Sequence, residues 1–366
     1  MHVDQTLRDL PQTSNVLSTQ ASGSRGLGAQ LFVALGETIV VDTAVGRSAP
    51  EEAMRTDALH NTWCATKPIV AVFLAYLLRT HGLELDTQVG AILPSVPTPA
   101  STLSCASLMN HSSGLTRPSA YAAQYMRLSQ RRFAAMRAPA ELEPTAAYSE
   151  YVGSSLMAAL IEHLSKGPAR ASIEDGLLIP LNLERDIVLG ASFTEFVDLR
   201  NRIGAFVWGL PQTPIFALTD RLFHQGALDR MASGGLTTAR GLGLFYQYLG
   251  RVLSGREQNG PVSLDTLATM LTHRRGTTPD PVLERRCDFG CGFAVELVDH
   301  GYGSYPSSSA FGHSGLFGCS FAMFDPEHEL SVSAFVNGAD MGTATVDACR
   351  TELISSIYQD LGYSPY

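Results

Sequence analysis

Cys64 and Lys67 stand three residues apart in Thr62-Trp63-Cys64-Ala65-Thr66-Lys67-Pro68, where the apolar run 68–78 begins. That spacing is close to one helical turn, so the two side chains share a face. The unpaired N–H groups and positive dipole end of a helix start favour a thiolate. A free cysteine titrates about two units below a free lysine, so a proton shared by such a pair rests on nitrogen by roughly 2 to 3 kcal/mol. The pair therefore reads as a preformed thiolate and ammonium, with burial opposing the separation of charge. Only two lysines occur in the chain, at 67 and 166, which makes the retention of this one informative. Two further short motifs carry chemistry: Tyr148-Ser149-Glu150, ahead of a helical pattern at 151, and His313-Ser314-Gly315-Leu316, just before a strand pattern at 319. Taken singly, each has a structural explanation as an inert buried thiol, a packing tyrosine or an edge bulge.

These residues need a frame. Residues 29–45 alternate around Gly36-Glu37 and read as a two-stranded hairpin, and 319–338 has the same form around Asp325-Pro326-Glu327. Residues 343–362 show helical spacing at Val346, Cys349, Leu353 and Ile357, with Gly362 as the stop. Helical patterns also cover 68–81, 151–165 and 238–253, separated by Gly/Pro/Ser-rich connectors at 94–104, 208–215 and 303–310. The predicted fold class is α/β (α+β): an antiparallel sheet flanked by N- and C-terminal helices, with a mostly helical insertion. The expected division is a discontinuous sheet domain, 1–75 with 285–366, and a helical domain, 76–284, with the site in the cleft between them.

At 366 residues the chain exceeds the usual single-domain size, in keeping with two units. A net charge of −9, with no basic run, repels phosphate backbones and anionic lipid, so nucleic acid and membrane surfaces are not expected partners. The opening MHVDQTLRDLPQTSNV lacks the basic start and apolar core of a secretory signal, which points to the cytoplasm. The run 68–78 is too short to span a bilayer and reads as a buried helix. Six cysteines spread over so long a chain read as reduced thiols, and Cys287-x3-Cys291 lacks the second pair a zinc site needs. His111 with Ser112 and Ser113 could pose as a Ser/His pair, but adjacent positions do not aim at one another. With no G-x-G-x-x-G after a strand, no P-loop and no H-E-x-x-H, neither a metal nor a nucleotide cofactor is expected.

The chain resembles the serine β-lactamase and penicillin-binding-protein superfamily, and within it the class C β-lactamases, family VIII carboxylesterases and related transesterases. The signatures S-x-x-K, Y-x-N and K-T-G have counterparts, in that order, in C-A-T-K, Y-S-E and H-S-G. Supporting stretches are HGLELDTQVGAILP (81–94), LMNHSSGL (108–115), PLNLE (180–184) and MASGGLTTARGLGLF (231–245), so the likeness runs from about residue 28 to about 340. The resemblance implies that Cys64 is the acylated nucleophile, Lys67 its base and Tyr148 the proton relay. It implies an oxyanion hole of the backbone N–H groups of Cys64 and Leu316. It also puts Glu150, His313, Ser314 and Gly315 against the substrate.

Three departures shape the expected activity. Cysteine replaces serine, so the intermediate is a thioester, which exchanges with thiols and amines more readily than it hydrolyses. Glu150 replaces the asparagine, and His313, near-neutral at its reference pKa of about 6.5, replaces the lysine. Both changes remove contacts to a carboxylated β-lactam and argue against antibiotic hydrolysis. The leading expectation is an acyl-transfer enzyme acting through a covalent Cys64 thioester. Its donor is a small ester or an acyl carrier protein or coenzyme A thioester, and its acceptor an alcohol, amine or water. The alternatives are a small-ester hydrolase and a catalytically inactive binding protein of the same fold; a serine exchanged by design for Cys64 would leave the same pattern.

Overall fold

The structure, a computed structural model, describes residues 9–24, 26–49, 51–116, 146–191, 193–208, 215–217, 235–338 and 343–366. The amino-terminal part supplies strands β1 (Gly28–Leu35), β2 (Thr38–Ala49) and β3 (Glu52–Ala53). The carboxy-terminal part supplies β4 (Thr278–Asp280), β5 (Arg285–Gly290), β6 (Phe293–Val295), β7 (Phe311–Ser314), β8 (Ser320–Asp325) and β9 (Leu330–Val336). All nine form one antiparallel sheet in the order β3-β2-β1-β9-β8-β7-β6-β5-β4. The β1–β2 turn uses Gly36 at φ 56°, a left-handed conformation that glycine adopts without steric cost. The two chain ends meet where β1 pairs β9, Ala29 opposite Val336 and Leu35 opposite Leu330.

Helices cover both faces of this sheet. On one face lie α1 (Pro11–Thr19) and the carboxy-terminal helix, which bury Leu17, Leu353 and Ile357 against Leu31, Val33 and Val332 of β1 and β9. On the other face, α2 (Lys67–Thr80), α3 (Val152–Ser165) and α4 (Ala239–Leu253) build a single core, with Ile69, Leu74, Leu156, Leu160, Phe245 and Leu249 packed toward Phe311 and Phe324. Fully burying each such side chain stabilises the fold by about 1.5–3 kcal/mol. The carboxy-terminal helix is α5 (Thr343–Asp360). Of its predicted stripe, Val346, Leu353 and Ile357 are buried while Cys349 stays half-buried.

The apolar run 68–78 is the buried helix its composition suggests. It begins one residue earlier than the pattern, because a 3-10 turn, Trp63–Thr66, leads into it and Pro68 suits a first helical turn. No helix among the described residues is long and apolar enough to cross a membrane. The loop sequence 231–234 of the family-like stretch 231–245 and the connector 209–214 lie outside the described residues.

Candidate active site

The segment that carries Cys64 is held on both sides. His60–Asn61 pairs antiparallel with Leu236–Thr237, which in turn pairs with Ile187–Val188, so the chain enters the 3-10 turn from a small sheet of its own. The Thr62 hydroxyl accepts from Thr237 Oγ1 at 3.0 Å, and the Thr62 carbonyl accepts from Ser320 Oγ at 2.7 Å. Trp63 then adopts φ 52°, a strained conformation for a bulky residue that costs on the order of 1–3 kcal/mol. Its N–H donates to Asn61 Oδ1 at 3.0 Å and its carbonyl accepts from Thr66 Oγ1 at 3.0 Å. The Trp63 side chain packs with Phe206, Cys319 and Phe335. Strand β7 closes on this turn from the other side. A Cβ on Gly315 would lie 2.5 Å from the Thr62 carbonyl oxygen and 2.2 Å from Ser320 Oγ, so only glycine permits the approach.

One cavity of about 390 Å³ results, and Cys64, Tyr148, Glu150, His313, Ser314, Gly315 and Leu316 all line it. Lys67, the remaining sequence-predicted position, lies just beneath, 2% exposed. Its Nζ donates to the Glu150 carbonyl at 2.7 Å and to Ser154 Oγ at 3.3 Å, and sits 5.4 Å from the centre of the Tyr148 ring. Burial lowers the Lys67 pKa, opposed by the charges of Cys64 and Glu150. This desolvation works against the thiolate–ammonium pair that reference acidities suggest. Tyr148 lines the same cavity wall as Cys64. Burial first, then the charge of Cys64, push the Tyr148 pKa well above the ordinary value, so the phenol keeps its proton at rest. Cys64 is the one cysteine that lines the cavity; burial raises Cys105 and Cys291 to about 12 and Cys287 to about 11.

His313 is 4% exposed, and its Nδ1 lies 2.9 Å from the Ser314 carbonyl oxygen, so Nδ1 carries the proton and donates. Nε2 is then a bare acceptor, buried and without a hydrogen-bond partner among the described residues. Burial, with the nearby Lys67 charge, lowers the His313 pKa to about 3, so the ring is neutral at pH 7.

Ser154 and the two arginines of the far wall were not read from the sequence, and His111 serves otherwise than in the Ser/His pair considered above. Ser154 lies one helical turn beyond Glu150, and that i, i+4 spacing is the only trace it leaves. His111 packs against Tyr148 with ring centres 4.3 Å apart and planes tilted by 36°, and its Nδ1 accepts the Ser149 N–H at 3.1 Å, so the NHSSG stretch buttresses the second motif. The far wall carries Arg285 and Arg350, each 2.6 Å from an oxygen of Asp347. The wall is therefore cationic as well as anionic, which the reading of Glu150 and His313 alone did not foresee.

Known proteins share this architecture. A penicillin-binding-protein homologue from Caulobacter crescentus superposes with a TM-score of 0.77 at 20% identity, covering 96% of this chain and 97% of that one. A family VIII carboxylesterase superposes at 0.78 with 19% identity over 96% and 97% of the two chains. EstCE1, described as a hydrolase with promiscuous acyltransferase activity, superposes at 0.76 with 17% identity over 97% and 99%. No curated protein matches the chain by sequence. The family model described as Beta-lactamase matches residues 3–353, and the chain accordingly belongs to the β-lactamase family.

Proposed function

We propose that this protein is an acyl-transfer enzyme that carries the acyl group as a thioester on Cys64. In the first half-reaction the sulfur attacks the carbonyl carbon of an ester or thioester, the S–C bond forms and the bond to the leaving heteroatom breaks. The thiol proton passes through the Tyr148 phenol to that heteroatom, which departs neutral. In the second half, an alcohol, amine or water attacks the thioester and gives its proton back through the phenol. The S–C bond breaks and the thiol is restored. Lys67 offsets the negative charge on whichever of sulfur or phenol oxygen has lost its proton, and the backbone N–H groups of Cys64 and Leu316 receive the oxyanion.

The observation that carries this reading is that Cys64 and Tyr148 line one cavity, with the buried Lys67 ammonium 5.4 Å from the centre of the Tyr148 ring. Preferred donors are carrier-bound or coenzyme A thioesters, whose leaving thiol exchanges easily with a cysteine. The esterase and acyltransferase names of the structural relatives support a second use of the same intermediate, hydrolysis of small esters with water as acceptor. The test is the intact mass of the protein after incubation with a panel of acyl thioesters and activated esters, repeated with Cys64→Ala and Cys64→Ser. An acyl-sized increase confined to chains that keep Cys64 supports the proposal. No adduct, with sluggish alkylation of Cys64 at neutral pH, leaves a binding protein in its place.

A further inference from the structure

We propose that the buried Arg275–Asp280 ion pair is a positioning device for Tyr148, holding its main chain so that the phenol faces the cavity that Cys64 also lines; the catalytic meaning of that placement rests on the acyl-transfer reading above. Both side chains are completely buried, with Arg275 Nη2 2.9 Å from Asp280 Oδ2. The same oxygen accepts the Tyr148 main-chain N–H at 2.9 Å. The other oxygen accepts the N–H groups of Val282 and Leu283 at 2.9 and 3.0 Å. Four donors thus converge on one carboxylate. An amide of the same shape offers a single oxygen and must turn its own N–H groups toward one of the two donor pairs.

Arg275 extends the support. It donates to the His111 carbonyl at 3.2 Å and lies 4.9 Å over the Phe289 ring. Phe289 and His111 are two of the rings that pack around Tyr148, at 5.7 and 4.3 Å between centres. The tyrosine segment is therefore fixed through its own main chain by Asp280, through the next residue by His111, and through its ring by Phe289. A buried ion pair is an inefficient way to stabilise a fold, since well-packed apolar residues of the same volume often do as well. This one ends on two segments, at Tyr148 and at Val282–Leu283, that both line the cavity, which a purely structural pair has no reason to do.

The test is a double-mutant cycle read by the rate at which iodoacetamide alkylates Cys64, followed by peptide mapping and needing no acyl substrate. The variants are Asp280→Asn, Tyr148→Phe and their combination. Arg275→Met/Asp280→Asn serves as a second route, in case an unpaired Arg275 prevents folding of the first. If Asp280 acts through the phenol, Asp280→Asn slows alkylation about 3- to 10-fold when Tyr148 is present and changes nothing further in the Tyr148→Phe background. Equal effects in the two backgrounds, or none in either among variants that remain folded, overturn the proposal. A wild-type protein that forms no acyl adduct would refute the proposed function and leave this cycle fully readable.

Discussion

Replacing Gly315 by alanine should separate catalysis from folding at the point where β7 meets the Cys64 turn. The added Cβ falls 2.5 Å from the Thr62 carbonyl oxygen, about 1 Å short of ordinary van der Waals contact. It also falls 2.2 Å from Ser320 Oγ, the hydroxyl that donates to that same carbonyl. The serine can rotate away at the loss of one hydrogen bond, about 0.5–1.5 kcal/mol, but the Thr62 main chain cannot. β7 must therefore retreat, and Leu316, the next residue, retreats with it. Overpacking of this kind costs about 1–3 kcal/mol of stability. A displacement of about 1 Å at a reacting group costs on the order of 100-fold in rate. Rapid mixing with an acyl thioester, with the adduct counted by mass at successive times, measures acylation; a melting curve measures stability. The expected result is a folded Gly315→Ala protein whose acylation is slowed on the order of 100-fold. A variant that acylates at the wild-type rate would refute the claim that this close approach sets the oxyanion geometry.

Further outcomes follow from the buried ionisable groups. Lys67→Met should fold and yet lose about 10²- to 10⁴-fold in adduct formation, as expected for a group that supports proton transfer. Because burial lowers the Lys67 pKa, the unfolded chain binds this proton when the folded chain does not. The wild type therefore loses stability as pH falls from about 10.5 toward the folded value, and the variant, by urea titration, should lack that slope. His60 and His313 are lowered by burial to about 3 and His300 to about 4, against 6.5 in the unfolded chain. Stability from these rings is present above pH 6.5 and lost as pH falls toward 4, by about 1.4 kcal/mol per pH unit for each. Urea midpoints at pH 7, 6 and 5 check this, and a flat profile contradicts it. His313→Gln should remove one ring's share of the slope.

What could be read from the sequence was local. Cys64 and Lys67 share a turn, the 29–45 hairpin repeats with period two, and the 68–78 run is apolar on every side, so each could be recognised from its own segment. The three motifs became one site only through the resemblance, and the structure brings seven of the eight predicted positions to a single cavity wall. The unread groups act across long separations with no repeat to betray them. Asp280 reaches Tyr148 over 132 residues and Ser320 reaches Thr62 over 258. Short strands such as β4 and β6, three residues each, are too brief for alternation to emerge. The expectation that a shared proton rests on Lys67 comes from reference acidities in water with burial named as its opponent, but how deeply the ammonium is buried, 2% exposed, is set by tertiary packing that no local pattern shows.

The central claim is a thioester on Cys64 that lies on the reaction path. The most direct measurement is a single-turnover experiment with an acyl thioester and an amine or alcohol acceptor, quenched in acid at successive times and mapped by peptide mass. The account predicts an acyl group on the peptide containing Cys64 that appears and then decays at the rate product forms. Product appearing with Cys64 never acylated, or undiminished turnover by Cys64→Ala, would contradict it.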